Sequence, residues 1–147
     1  MPPMKPVYSA RYLDGLFSSD SYGDLATLST ILCAMDCFSW DKSDYGLPRP
    51  LFVFVECLGW VAQSWRSGAW TYFETIPPDR AEAMRRGLEA LSAPELALRY
   101  ADGAENWRNP QAMRQLDAWM KQNDASVHGW LRSLIRAHRA TFEELLK

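Results

Sequence analysis

Apolar side chains recur every three to four residues over much of this chain, which is the spacing of one face of an α-helix. One such segment begins at Asp20 or Ser21, either of which can cap a helix, and ends near Phe38. Its apolar positions are Leu25, Leu28, Ile31, Leu32, Met35 and Phe38. The last segment begins at Asp124, and its apolar positions are Val127, Leu131, Leu134, Ile135, His138, Phe142 and Leu145. Both segments are predicted to be amphipathic helices.

Helix and strand compete in the segment between Pro50 and Ser67. Pro50 suits the first turn of a helix, whereas the sequence LFVFVECLGW is rich in β-prone side chains and leaves a strand open. The length of the segment and Gly68, a residue typical of a helix end, favour a helix.

Proline and asparagine mark the starts of further helices. We predict these from Pro77-Pro78-Asp79 to Leu91, from Ala93-Pro94-Glu95 to Asp102-Gly103, and from Asn109-Pro110 onward. Tyr8–Phe17 is predicted as a further short helix. The sequence therefore predicts an all-α fold of about six or seven helices with short loops. We expect one domain over residues 1–147, with residues 1–7 extended or mobile.

The stretch WRSGAWTYFETIPPDR surrounds Gly68 with Trp65, Trp70, Tyr72 and Phe73. A glycine just past a helix end commonly adopts a left-handed cap, so we predict a positive φ at Gly68. The four aromatic side chains are then expected to pack this turn against neighbouring helices. Alternatively, Trp70 anchors a partner protein, as buried tryptophans do at interfaces.

These residues resemble the bacterial DNA-mimic-protein-like family over about residues 53–101. The resemblance rests on the turn Ser67-Gly68-Ala69-Trp70, the pair Tyr72-Phe73, and Ala90-Leu91-Ser92-Ala93 before the next helix. The chain departs from the family pattern in two places. Arg66-Ser67-Gly68 replaces an Asn-Gly-Gly element, and Ser92 stands where glycine is typical.

The resemblance implies an all-α fold. For one type of member it also implies an acidic surface that imitates DNA phosphates and captures a DNA-binding protein. Mimicry of that kind requires a large negative charge, whereas the 147 residues carry a formal net charge of only -2. The fold can therefore carry over without the mimicry.

Composition limits the classes of function. The chain is 48% apolar and 23% charged, as globular proteins are, and it lacks the basic excess of a protein that binds nucleic acid directly. No apolar run reaches the roughly 18 residues of a membrane-spanning helix, and the N-terminus lacks the apolar core of a signal peptide. Three cysteines do not suggest a secreted disulfide scaffold. We expect a cytoplasmic protein that contacts neither membrane nor nucleic acid.

Two clusters of charge are candidate docking surfaces. The acidic front contains Asp14, Asp20, Asp24, Asp36, Asp41 and Asp44. The basic stripe lies on one face of the last predicted helix and contains His128, Arg132, Arg136 and Arg139. Either set can instead be solvated helix caps, turns and polar faces. Our candidate partner-binding residues are Asp20, Asp24, Asp41, Asp44 and Trp70, facing a partner with a basic surface.

Candidate catalytic and metal-binding residues are few. His128 and His138 are ten residues apart, not the four that place two ligands on one helix face. Cys33 and Cys37 are four apart, but a metal site needs two further ligands, for which Cys57 and Asp36 are the obvious candidates. We expect the cysteines to be buried packing residues, and predict neither metal nor cofactor.

Glu56 interrupts an apolar run one turn before Trp60. Such a carboxylate is either on an exposed face or buried and paired, with Arg66 or Arg80 as partner. If buried beside aromatic side chains, it could have a raised pKa and act as an acid or base.

The sequence favours a non-enzymatic interaction protein that binds and occludes a partner protein. An immunity protein that neutralises a bacterial toxin is an alternative within the same class. A small enzyme with a pocket near Glu56 and Trp65–Phe73 is the alternative of another class.

Overall fold

The computed structural model describes residues 7–147, and over these residues it contains helices joined by turns, with no strand. Nine helices follow in chain order. They are α1 (Ala10–Ser18), α2 (Tyr22–Cys33), α3 (Arg49–Ser67), α4 (Ala69–Thr75), α5 (Pro78–Ala90), α6 (Pro94–Asn106), α7 (Pro110–Gln122), α8 (Asp124–Ala137) and α9 (Arg139–Leu145). The all-α prediction is confirmed, but the described residues form nine helices, not six or seven. The expectation of a mobile start falls on residues 1–6, which lie outside the described part, and on Val7, which is exposed.

The difference in helix number has two sources: α4 forms in the segment expected to be a turn, and the last predicted helix breaks within an apolar pattern. α8 ends before His138, and α9 begins directly after it, so the predicted last helix is two helices. The apolar spacing continues across this break because Phe142 on α9 is still fully buried. The N-cap of α8 is Asn123, and Asp124 is its first residue.

α2 ends at Cys33 and not near Phe38. The N–H of Ala34 donates to the carbonyl of Ile31, a tight turn that closes the helix. Met35 and Phe38 still pack on the core, but from the following turns. Helical spacing of apolar residues therefore continued beyond the helix itself.

α3 is the central helix of the fold and packs against α2, α4, α5, α7 and α8. Every residue from Leu51 to Leu58 is buried, which is why this part of α3 is apolar except at Glu56. The strand left open by the local propensities of LFVFVECLGW is thereby excluded.

A cluster of aromatic side chains joins α3, α4 and α6. Trp60, Tyr72, Phe73 and Tyr100 pack mostly edge to face, with the hydroxyls of Tyr72 and Tyr100 2.8 Å apart. Gly103 lies beneath Phe73, because a Cβ at this position would approach the Phe73 ring to 2.5 Å at Cζ. α6 continues through Gly103 to Asn106, where the sequence predicted an end, and the close approach of Phe73 accounts for a glycine at this helical position.

No helix among residues 7–147 has the length and hydropathy needed to cross a membrane.

Candidate functional site

The chain turns sharply at Gly68, between α3 and α4. The Gly68 N–H donates to the carbonyl of Ser64 at 2.9 Å, and its φ of 92° confirms the predicted positive value. Its ψ is 146°, which is extended and not the left-handed helical value of a typical cap. This extended backbone directs the chain into α4, where the first N–H, that of Ala69, donates to Asp117 Oδ1 at 2.8 Å.

The four aromatic residues around Gly68 divide between the core and the surface. Tyr72 and Phe73 are buried, as expected. Trp65 and Trp70 are not packed into the turn, because 49% and 45% of their surfaces remain exposed. α4 is a helix and not an open turn, so its side chains point in different directions around the helix axis, with Trp70 on the exposed face and Tyr72 and Phe73 on the buried face.

Trp70 borders an open groove of about 530 Å³ between α4 and α7. Trp107, Arg108, Met113 and Arg114 line the same groove. We call the surface formed by Trp65, Trp70 and Trp107 the aromatic strip.

The strip is continuous, since each groove shares a residue with the next. Asp117 belongs both to the Trp70 groove and to a second one of about 160 Å³ that also contains Trp65 and Lys121. Trp65 in turn lines a third groove with Tyr22 and His128.

Basic side chains border the strip, and none of them forms an ion pair with another described residue. These side chains are Arg66, Arg108, Arg114 and Lys121. Two of them contact the tryptophans directly. The guanidinium of Arg108 lies 4.7 Å from the Trp107 ring centroid, and Lys121 Nζ lies 5.9 Å from that of Trp65.

The acidic front and the basic stripe contact each other, so they are not two independent surfaces. Arg139 pairs with both Asp14 and Glu143, the latter one helical turn away at 2.9 Å. Arg136 Nη2 lies 3.5 Å from Asp20 Oδ1, and Arg132 Nε lies 4.0 Å from the same atom. Asp20, a predicted partner-binding residue, is therefore engaged within the chain.

None of the other predicted acidic residues lines a groove of the aromatic strip. Asp24 is in the first turn of α2, and Asp44 Oδ1 accepts the N–H of Gly46 at 2.9 Å within the loop before α3. Asp41 is exposed in that loop beside Trp40, whose surface is 68% exposed. The loop precedes the N-terminus of α3, whereas the strip lies at its C-terminus.

Glu56 is buried, with 5% of its surface exposed, and its partner is a tyrosine. Tyr45 donates its hydroxyl to the carboxylate, at 2.8 Å from Oε2 and 3.2 Å from Oε1. Neither Arg66 nor Arg80 pairs with it. Arg80 instead covers the Tyr45 ring at 4.2 Å and donates to backbone carbonyls of the loop, including that of Trp40 at 2.8 Å.

Burial raises the pKa of Glu56, and the hydrogen bond from Tyr45 opposes that rise. Tyr45 holds this position with a φ of 57°, an uncommon conformation for a bulky residue. Glu56 lines none of the three grooves of the strip. Its perturbed carboxyl is therefore a buried polar contact of the core.

The histidines and cysteines do not converge. His128 Nδ1 lies 3.2 Å from Asp124 Oδ1, and His138 is half-buried at the break between α8 and α9. All three cysteines are free, but only Cys57 is fully buried, so the expectation of buried cysteines is wrong for Cys33 and Cys37. Within residues 7–147, no group of three His, Cys, Asp or Glu side chains is placed to hold a metal ion.

No protein-family model, curated protein or solved structure matches this chain. The resemblance to the DNA-mimic-like family therefore stays a prediction.

Several residues of the strip and its grooves were absent from the sequence prediction: Trp107, Arg108, Arg114, Asp117 and Lys121. Their spacing carries no common signal, because they follow α6 or lie on α7, whereas Trp65 and Trp70 lie on α3 and α4. Only tertiary packing brings the two groups together.

Proposed function

We propose that this chain is a non-enzymatic, cytoplasmic protein-binding module that holds a partner protein through the aromatic strip and occludes part of its surface. The observation that carries the proposal is the exposure of Trp65 and Trp70 beside one continuous set of grooves. Tryptophan offers a large apolar area with few rotatable bonds, and it is enriched among residues that dominate binding energy.

An enzyme is less well supported, since active sites are usually concave pockets with converging polar groups and perturbed pKa values. The perturbed carboxyl of Glu56 lies outside the strip's grooves. The strip itself brings together tryptophans and cations without a nucleophile and base in contact.

The proposal takes only a mode of action from the family resemblance, namely occlusion of a partner such as a DNA-binding regulator. Phosphate mimicry is not included, because Asp14 and Asp20 are paired within the chain. Neutralisation of a toxin by an immunity protein is a second form of the same mode, and the identity of the partner distinguishes the two.

The test begins with isolation of the partner from the native cell, followed by affinity measurements with purified proteins. Trp70→Ala should weaken binding by about 2 kcal/mol or more, which is roughly 30-fold. Trp40→Ala is the matched control, because it removes an even more exposed tryptophan from outside the strip.

A second variant, Asp41→Asn with Asp44→Asn, tests the acidic loop. It should leave affinity and its salt dependence nearly unchanged. Loss of binding in this variant or in Trp40→Ala, with normal binding by Trp70→Ala, would place the partner on the loop and refute the proposal.

A further inference from the structure

We infer that the segment held by the aromatic strip is acidic: a short stretch of another protein whose carboxylates flank apolar side chains. This inference rests on the proposed function and specifies its partner. It reverses the charge of the partner expected from the acidic front.

The charge around the strip carries the inference. Four basic side chains border the grooves, Arg66, Arg108, Arg114 and Lys121, against the carboxylates of Asp117 and Asp124. Both carboxylates already have partners within the chain. Asp117 accepts the Ala69 N–H at 2.8 Å, and Asp124 lies 3.2 Å from His128 Nδ1.

Arg108 and Arg114, by contrast, are available to a partner. Arg132, Arg136 and Arg139 on α8 and α9 each contact an aspartate, whereas Arg108 and Arg114 have no carboxylate partner among the described residues. An arginine fork binds a carboxylate through two parallel hydrogen bonds, which gives orientation as well as energy.

Arg108 and Arg114 line the same groove as Trp70 and Trp107. A segment that places an apolar side chain between the two tryptophans would therefore bring neighbouring carboxylates within reach of both arginines. Apolar contact and charge complementarity coincide at this groove, and together they favour an acidic, partly apolar peptide.

A single-stranded nucleic acid also uses aromatic and basic side chains. It is disfavoured because every nucleotide carries a phosphate, so a bound strand would place phosphates beside Asp117 and Asp124, whereas a peptide can carry its carboxylates only where Arg108 and Arg114 lie. A formal net charge of -2 also lacks the basic excess typical of proteins that bind nucleic acid. An oligothymidine strand therefore serves as the competing ligand in the test.

The test selects binders for the wild-type protein from a display library of random short peptides. The enriched peptides should contain acidic residues beside apolar ones. Arg108→Gln with Arg114→Gln should slow association of such a peptide by about three- to tenfold at about 0.1 M salt, and this difference should shrink near 1 M. Arg11→Gln with Arg49→Gln is the matched control: it removes the same charge from two exposed arginines outside the strip and should leave the rate unchanged.

Trp70→Ala separates this inference from the proposed function. If the selected peptides need Trp70 but carry no acidic excess, the acidic segment is refuted while the strip still binds protein. Peptides that bind Trp70→Ala normally would refute both. The inference also fails if no peptide is enriched, or if oligothymidine displaces the peptides and binds more tightly.

Discussion

Gly68→Ala tests the backbone geometry on which the strip depends. With φ at 92° and ψ at 146°, Gly68 occupies a region that side-chain-bearing residues rarely adopt, and such strain costs about 1–3 kcal/mol. The added Cβ would also lie 3.2 Å from Trp70 Cδ1 and 3.3 Å from Nε1, so the indole must move. We therefore expect the free energy of unfolding to fall by about 1–3 kcal/mol.

Gly59→Ala is the matched control. Gly59 lies within α3, and a Cβ there would meet nothing within 4 Å. Alanine should stabilise this helical position by about 1 kcal/mol, because glycine has the weaker helix propensity. The two variants should thus differ by roughly 2–4 kcal/mol, with opposite signs relative to the wild type.

The free energy of unfolding of both variants is measured by urea unfolding followed by far-ultraviolet circular dichroism. Indole fluorescence is not used for this purpose, because displacement of Trp70 would change the fluorescence even without unfolding. The unfolding midpoint should shift without a change in slope. A Gly68→Ala protein as stable as the wild type would refute the strained geometry. Displacement of Trp70 is tested separately by the affinity for the partner. Gly68→Ala should weaken that affinity, whereas Gly59→Ala should leave it unchanged.

Two further variants test the core. Gly103→Ala should destabilise the fold by about 1–3 kcal/mol, because its Cβ would overlap the Phe73 ring; unchanged stability in urea would contradict this packing. Glu56→Gln tests the buried carboxyl, whose pKa burial raises above its ordinary value of 4.5. The folded state then holds this proton more tightly than the unfolded state, so wild-type stability falls as pH rises from about 4.5 through the raised pKa. The free energy of unfolding of Glu56→Gln minus that of the wild type should therefore increase between about pH 4 and about pH 8. The same difference at both pH values would refute the raised pKa of Glu56.

Local signals predicted much of the fold. Asn109 caps α7 through its side chain, with the N–H groups of Gln111 and Ala112 donating to Oδ1 at 3.0 and 3.2 Å. Pro78 and Pro94 stand at the first positions of α5 and α6. These signals work because each depends on a few neighbouring residues.

Helix ends set by tertiary packing were missed. The spacing of apolar residues continues past Cys33 and across His138, although the helices stop there. Gly103 signalled an end to α6, yet it lies within the helix, where the absence of a side chain leaves room for Phe73 from α4. Trp70 was predicted as a possible partner anchor, but the rest of the aromatic strip was missed for the same reason, since Trp107 and Trp70 line one groove only after α4 and α7 have packed.

The charge clusters show most clearly why position along the chain did not reveal the candidate site. Asp14 and Arg139 lie in separate clusters of the sequence, yet they form an ion pair. Adjacent opposite charges largely cancel at distances beyond the Debye length, about 8 Å at physiological ionic strength, so this end of the molecule exerts little long-range attraction. Arg108, Arg114 and Lys121 are scattered in sequence and suggested no cluster, but they border connected grooves without carboxylate partners among the described residues. We therefore expect the proposed acidic segment to be attracted by the basic side chains beside the aromatic strip, which is the reverse of what the acidic front suggested.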